Sequence, residues 1–157
     1  MRKYSYTLLI YIGTLLACLL TACDSQTVYN RYLRTAKNGW ERNDTLSFLI
    51  PPVTQDGNYT EEIGVRINGD YPFMKLTLII EQTKMNTKER RSDTLNCQLI
   101  DKSGHPLGQG ISQYQYVFRL ATLHLMKDDS LHLAIRHDMK REMLPGITGI
   151  GVHISKE

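Results

Sequence analysis

Cysteine is the first shortage: there are three in 157 residues, and two of them, Cys18 and Cys23, stand at the N-terminus. Cys97 is left alone in the body of the chain, so no intramolecular disulfide can staple it and a folded domain must be held by its core. An excess of one charge is also missing, since 19 Lys and Arg face 16 Asp and Glu. That balance gives no concentrated basic patch of the kind nucleic acid or anionic headgroups require. The one basic cluster, Lys84, Lys88 and Arg90-Arg91, reads as a solvated loop. Past residue 22, no window of twelve residues carries the 3.6-residue period of an amphipathic helix.

Signatures of chemistry are scarce as well. There is no Gly-x-Ser-x-Gly, no phosphate-binding loop and no dinucleotide fingerprint. His132 and His137 are five apart, which on a strand sends them to opposite faces, unlike ligands two residues apart. His105, His124 and His153 are scattered, and all five histidines read as solvated or locally hydrogen-bonded. The adjacent acids Glu61-Glu62 and Asp128-Asp129 nominate no facing carboxylate pair for acid–base work, because neighbours on a strand point apart and acids in a turn are solvated. The sequence therefore reads as a non-enzyme with no catalytic residue, metal or cofactor, and with no small-molecule substrate or nucleic acid as partner.

What is present begins with the N-terminus. Arg2 and Lys3 precede an uncharged, apolar run from Thr7 to Ala22. That is the charged and apolar pair of regions of a secretory signal peptide, and the run is short for a membrane-spanning helix, which needs about 20 apolar residues. It ends in Leu20-Thr21-Ala22-Cys23. This resembles the lipobox of bacterial lipoproteins, which implies that residues 1–22 are cleaved and that Cys23 is lipidated as the first residue of the mature chain. Two or three acyl chains, at about 0.8 kcal/mol per buried methylene, make such attachment effectively permanent. Removing Arg2 and Lys3 leaves 17 basic residues against 16 acidic, so the processed domain is almost neutral.

The mature chain alternates with a period of two. Leu46, Phe48 and Ile50 share a face and stop at Pro51-Pro52; Ile63, Val65 and Ile67 share another and meet the turn Asn68-Gly69-Asp70; Met74, Leu76, Leu78 and Ile80 follow. The spacing predicts a hairpin from these last two segments. Further alternating sets are Leu95, Cys97, Leu99; Tyr114, Tyr116, Phe118, Leu120; Leu131, Leu133, Ile135; and Ile150, Val152, Ile154. Cys97 reads as a buried small hydrophobe within its set. Thr27 to Tyr32 is an eighth candidate strand. Half-buried strands separated by turns predict an all-β protein, an antiparallel β-sandwich of seven to eight strands over residues 44–157, with a closed barrel as the other solution.

Residues 23–43 read as a lipidated N-terminus and tether, partly packed on the domain because it carries Val28, Tyr29, Tyr32, Leu33 and Trp40. Tyr29, Tyr32 and Trp40 are the candidate interaction aromatics, since large amphipathic rings suit a protein interface or a sugar platform.

In order along the chain, CDSQTVYNRY, GWERNDTLSFLIP, YPFMKLTLII, RSDTLNCQLIDKSGHPLGQG and RHDMKREMLPGITGIGVHI resemble the gliding motility lipoprotein GldH family of the Bacteroidetes, from Cys23 to Ile154. The resemblance implies a membrane-anchored envelope protein that works with neighbouring motility or secretion proteins, and it brings no catalytic residues. The expected role is a protein-interaction module on a lipid anchor. The alternative is a glycan-binding lipoprotein, which would need an aromatic platform; a hydrolase would need acids or histidines clustered in a pocket. Only Asp24 follows Cys23 before Ser25-Gln26-Thr27, with no acidic run resembling a surface-export signal, so the expected location is the outer membrane facing the periplasm, with retention at the inner membrane as the alternative.

Overall fold

The computed structural model describes residues 26–157, of which every regular element is a strand. Cys23 and the expected signal peptide lie outside the described residues. The strands are β1 (Thr27–Leu33), β2 (Trp40–Glu41), β3 (Leu46–Ile50), β4 (Gly57–Asn68), β5 (Lys75–Lys84), β6 (Arg90–Gln98), β7 (Gln113–Leu125), β8 (Leu131–His137), β9 (Met143–Leu144) and β10 (Ile147–Lys156). A first sheet has the order β1-β10-β4-β7, a second has β3-β8-β5-β6, and β2 pairs with β9 in a two-stranded ribbon. Every pairing is antiparallel. Consecutive long strands alternate between the two sheets for much of the chain, which is the strand order of a jelly roll.

The alternation places the core between the sheets. Ile63, Val65 and Ile67 of β4 and Ile150, Val152 and Ile154 of β10 meet Leu76, Leu78 and Ile80 of β5 and Leu131, Leu133 and Ile135 of β8 in one apolar cluster. Each such side chain contributes about 1.5–3 kcal/mol on burial, which is how the fold dispenses with a disulfide. Cys97 is fully buried in the same cluster, as its spacing indicates, and burial pushes its thiol up to about 12.

The hairpin expected from β4 and β5 does not form. β4 pairs with β10 and β7, whereas β5 pairs with β6 and β8, so the connection crosses from one sheet to the other. The local turn is real: Asn68 Oδ1 accepts the Asp70 amide at 3.1 Å. Tyr71 then drops into the core, 4% exposed, and its hydroxyl donates to the Lys75 carbonyl at 2.8 Å. Gly146 fixes the crossing from the other side: its φ is +79°, and a Cβ there would stand 2.2 Å from the Tyr71 nitrogen. Met74 falls before β5 and is 44% exposed, so it does not join the inward set.

Two further features lie in the stretch before residue 44. β1 is the edge strand of the first sheet, with Tyr29 opposite Ile154, Tyr32 opposite Gly151 and Leu33 opposite Ile150. β2 brings Trp40 opposite Leu144, and the ribbon plugs the end of the sandwich where β1 finishes and β10 begins.

Candidate interaction surface

Because Ile63, Val65, Ile150 and Val152 point inward, the residues between them lie on the outer face of the sheet. Register then assembles three rows across the outer face of the first sheet. Tyr32, Gly151, Gly64 and Val117 form the central row. Asn30, His153, Glu62 and Arg119 form the next row toward the N-terminus of β1, and Gly149, Arg66 and Gln115 the row on the other side.

Glycine in the central row is a steric requirement. A Cβ on Gly64 would stand 2.1 Å from the Tyr32 hydroxyl oxygen, and one on Gly151 would stand 2.7 Å from two atoms of the Tyr32 ring. Tyr32 therefore reaches from the edge strand across β10 to β4 and lies in a channel that only hydrogen side chains leave open, a device by which an aromatic covers strand glycines. The Arg66 guanidinium carbon sits 3.7 Å from the ring centroid, a cation–π contact, and Arg66 Nε donates to Gln115 Oε1 at 3.0 Å. Partial burial raises the Tyr32 phenol above its ordinary range; the Arg66 charge pulls it down and the Glu62 charge pushes it up.

Two clefts open beside this ring and share Tyr32 and Arg66. One, of about 260 Å³, runs along the glycine floor between Asn30, Glu62, His153 and Val117. The other, of about 450 Å³, lies at the far end of the sheet against residues 33–37, Asp70 and residues 145–149. Arg34, Lys37 and Arg66 line it together with Asp70. The surface is thus polar, contoured and centred on one immobilised ring.

An acid, an imidazole and a hydroxyl also meet on this face. His153 Nδ1 lies 3.0 Å from Glu62 Oε2, and His153 Nε2 lies 3.4 Å from Thr27 Oγ1, so carboxylate, imidazole and hydroxyl fall in line. The line sits on an open sheet face with His153 and Glu62 side chains 31% and 29% exposed. At that exposure solvent reaches the pair, whereas a catalytic triad works in a low-dielectric, water-excluded setting. Among the described residues, no three His, Cys, Asp or Glu side chains gather as metal ligands.

The three aromatics singled out by sequence have separate fates. Tyr32 centres the surface. Tyr29 is half-buried on the opposite side of β1, and its hydroxyl is buried with no hydrogen-bond partner among the described residues. Trp40 is fully buried: its Nε1 donates to the Asp44 carbonyl at 2.9 Å and its ring meets His137 edge to face at 5.2 Å. It is a core residue and offers nothing to a partner. Composition cannot separate these cases, since an amphipathic ring suits a core and a rim equally well.

Of the adjacent acids Glu61-Glu62, the structure turns one into the core. Glu61 is fully buried between the sheets with neither carboxylate oxygen hydrogen-bonded among the described residues. Burial pushes its carboxyl up to about 7, with Arg91 pulling down and Asp93 pushing up. Glu62, its neighbour, faces out to His153 as adjacent acids on a strand must. The inward parity of Ile63 and Val65 already puts Glu61 inside, and that was the available signal.

Comparison with known proteins matches residues 27–154 to the family model described as GldH lipoprotein. The gliding motility lipoprotein GldH of Flavobacterium johnsoniae is 28% identical over 91% of this chain and 93% of its own length. A GldH homolog of Christiangramia forsetii is 26% identical over 98% of each. Among solved structures, a family GH115 4-O-methyl-alpha-glucuronidase is 13% identical with a TM-score of 0.49, over 86% of this chain and 18% of that one. The xylanase 10B of Clostridium thermocellum, in its CBM22-1 and GH10 modules, is 11% identical with a TM-score of 0.39, over 84% of this chain and 28% of that one.

Proposed function

The chain belongs to the GldH lipoprotein family, and from that premise we propose that it is a lipid-anchored, non-catalytic component of the cell envelope that binds other envelope proteins of a gliding or secretion apparatus. The anchor is Cys23, and the location is the periplasmic face of the outer membrane. The observation that carries the binding role is the Tyr32–Arg66 surface. An immobilised aromatic beside a guanidinium, bordered by two clefts, has the composition of a protein-binding centre, where Tyr and Arg are enriched. A sugar platform needs a free ring face, and here Arg66 occupies one face while the ring lies along the glycine channel, which favours a protein partner over a glycan.

The test is crosslinking in intact cells followed by purification of a C-terminally tagged protein, beside Cys23→Ala and Arg66→Ala forms. Defined envelope proteins should be recovered with the unaltered chain and lost or sharply reduced with both variants. Recovery of no protein above background would overturn the binding role.

A further inference from the structure

At the end of the sandwich where β1 begins, three connections meet: residues 51–56 after β3, 85–89 between β5 and β6, and 126–130 between β7 and β8. They are braced into one surface around Asp129. Its Oδ2 accepts the Met126 amide at 2.9 Å and pairs with Lys84 at 3.0 Å, while the Asn86 side chain donates to its Oδ1 at 3.4 Å. The Val53 amide donates to the Asp129 carbonyl, the Asp128 amide to the Val53 carbonyl and the Met85 amide to the Ser130 carbonyl, each at 2.9 Å. Lys127 closes the circuit through its amide to Asp56 Oδ1 at 2.6 Å.

The chain enters the fold at this same end. The Gln26 carbonyl accepts the Lys156 amide at 2.8 Å, and β1 starts at Thr27. Only residues 24–26 separate Cys23 from that strand, and a fully extended chain covers at most about 14 Å over those four steps. Met85 and Met126 project from the braced loops, 39% and 51% exposed. Lys88 and Lys127 stand exposed beside Glu89 and Asp128, so charge there is nearly balanced and cannot by itself select an anionic surface.

Resting on the lipid anchor at Cys23 argued above, we propose that this braced end is a membrane-facing surface, held against lipid headgroups by a leash too short to let it leave, with Met85 and Met126 at the interface. The occupant is a lipid bilayer. The sandwich then stands on its end. β4, twelve residues long, spans about 40 Å at roughly 3.3 Å per residue, so the larger cleft and the Trp40 plug lie at the end away from the bilayer, and the Tyr32–Arg66 surface faces sideways.

The experiment uses the full lipidated chain in phosphatidylcholine vesicles containing a headgroup spin-labelled lipid. A fluorophore is placed on Met126→Cys or, at the opposite end, on Ile111→Cys, a position 93% exposed; Cys97 is fully buried and does not compete for the label. The expected result is co-flotation of both proteins with vesicles and quenching at least threefold stronger at 126 than at 111. Co-flotation with equal quenching at the two positions overturns the proposal and leaves the anchor intact. Absence of co-flotation overturns the anchor and this proposal together.

Discussion

The two sheets of the sandwich are made by the same alternation and differ in how far they depart from it. In the second sheet, β3-β8, β8-β5 and β5-β6 pair without a register shift. In the first, all three pairings are irregular: between Thr27 and Tyr29, between Ile147 and Gly149, and between Glu61 and Glu62, where Leu120 of β7 is skipped. The first sheet also carries three glycines on its outer face and buries an unpaired carboxylate on its inner one. A core of this size needs none of those features, as the second sheet demonstrates. Bulges and strand glycines re-aim side chains and admit close approach, so the division teaches that both sheets pack one core, while only the first gives up regularity, seating Tyr32 on its outer face.

The contrast can be broken most forcefully in the second sheet. Leu133→Ala, at a fully buried position of β8, should lower stability by about 2–5 kcal/mol in urea unfolding, because a regular sheet has little slack with which to collapse the cavity. A loss under about 1 kcal/mol would mean the regular sheet is not what the comparison says it is.

Next in size is the pH dependence set by Glu61. Its carboxyl is raised from 4.5 to about 7 in the folded protein, so the unfolded chain ionises first and the folded one holds the proton longer. Stability contributed here is full below pH 4.5, declines as pH rises from 4.5 to 7 and is flat above. The total is about 3 kcal/mol at roughly 1.4 kcal/mol per pKa unit. Urea midpoints across this range should fall for the unaltered protein relative to Glu61→Gln, and the variant should be the more stable at pH 8. Parallel curves for the two would rule the carboxyl out as the cause.

The glycine channel sharpens the comparison further. Gly64→Ala should cost about 1–3 kcal/mol by displacing Tyr32, and the cost should shrink markedly in a Tyr32→Ala background, a coupling that a double-mutant cycle reads directly. Equal costs in both backgrounds would detach the glycine from the ring. The smallest effect is that of Arg66→Ala, about 0.5–1 kcal/mol for a partly exposed cation–π contact. Loss of the guanidinium should also move the Tyr32 phenol further up, since Arg66 opposes the effect of burial there; ultraviolet titration checks it.

The same division governs what could be read in advance. Alternation located the inward faces of β3, β8, β4 and β10 residue by residue, because burial on one side of a strand is written in its parity. Partners were not written there. β4 and β5 each alternate well and are joined by a good turn, yet they part into different sheets because Tyr71 enters the core and Gly146 lets the backbones close around it. The surface was legible only in fragments: Gly64, Gly149 and Gly151 alternate with core residues, which signals a close approach, but nothing in one sequence says that Tyr32, far along the chain, fills the channel. Trp40 fell on the wrong side of the same ambiguity.

The central claim is that the outer face of the first sheet, rather than that of the second, meets a protein partner. It is tested most directly by placing a photo-crosslinking residue in living cells at Val117, 55% exposed on the first sheet, or at Leu49, 69% exposed on the second. The account predicts a discrete envelope-protein adduct from Val117 and none from Leu49. An adduct from Leu49 alone, or none from either position in a protein that reaches the membrane, would contradict it.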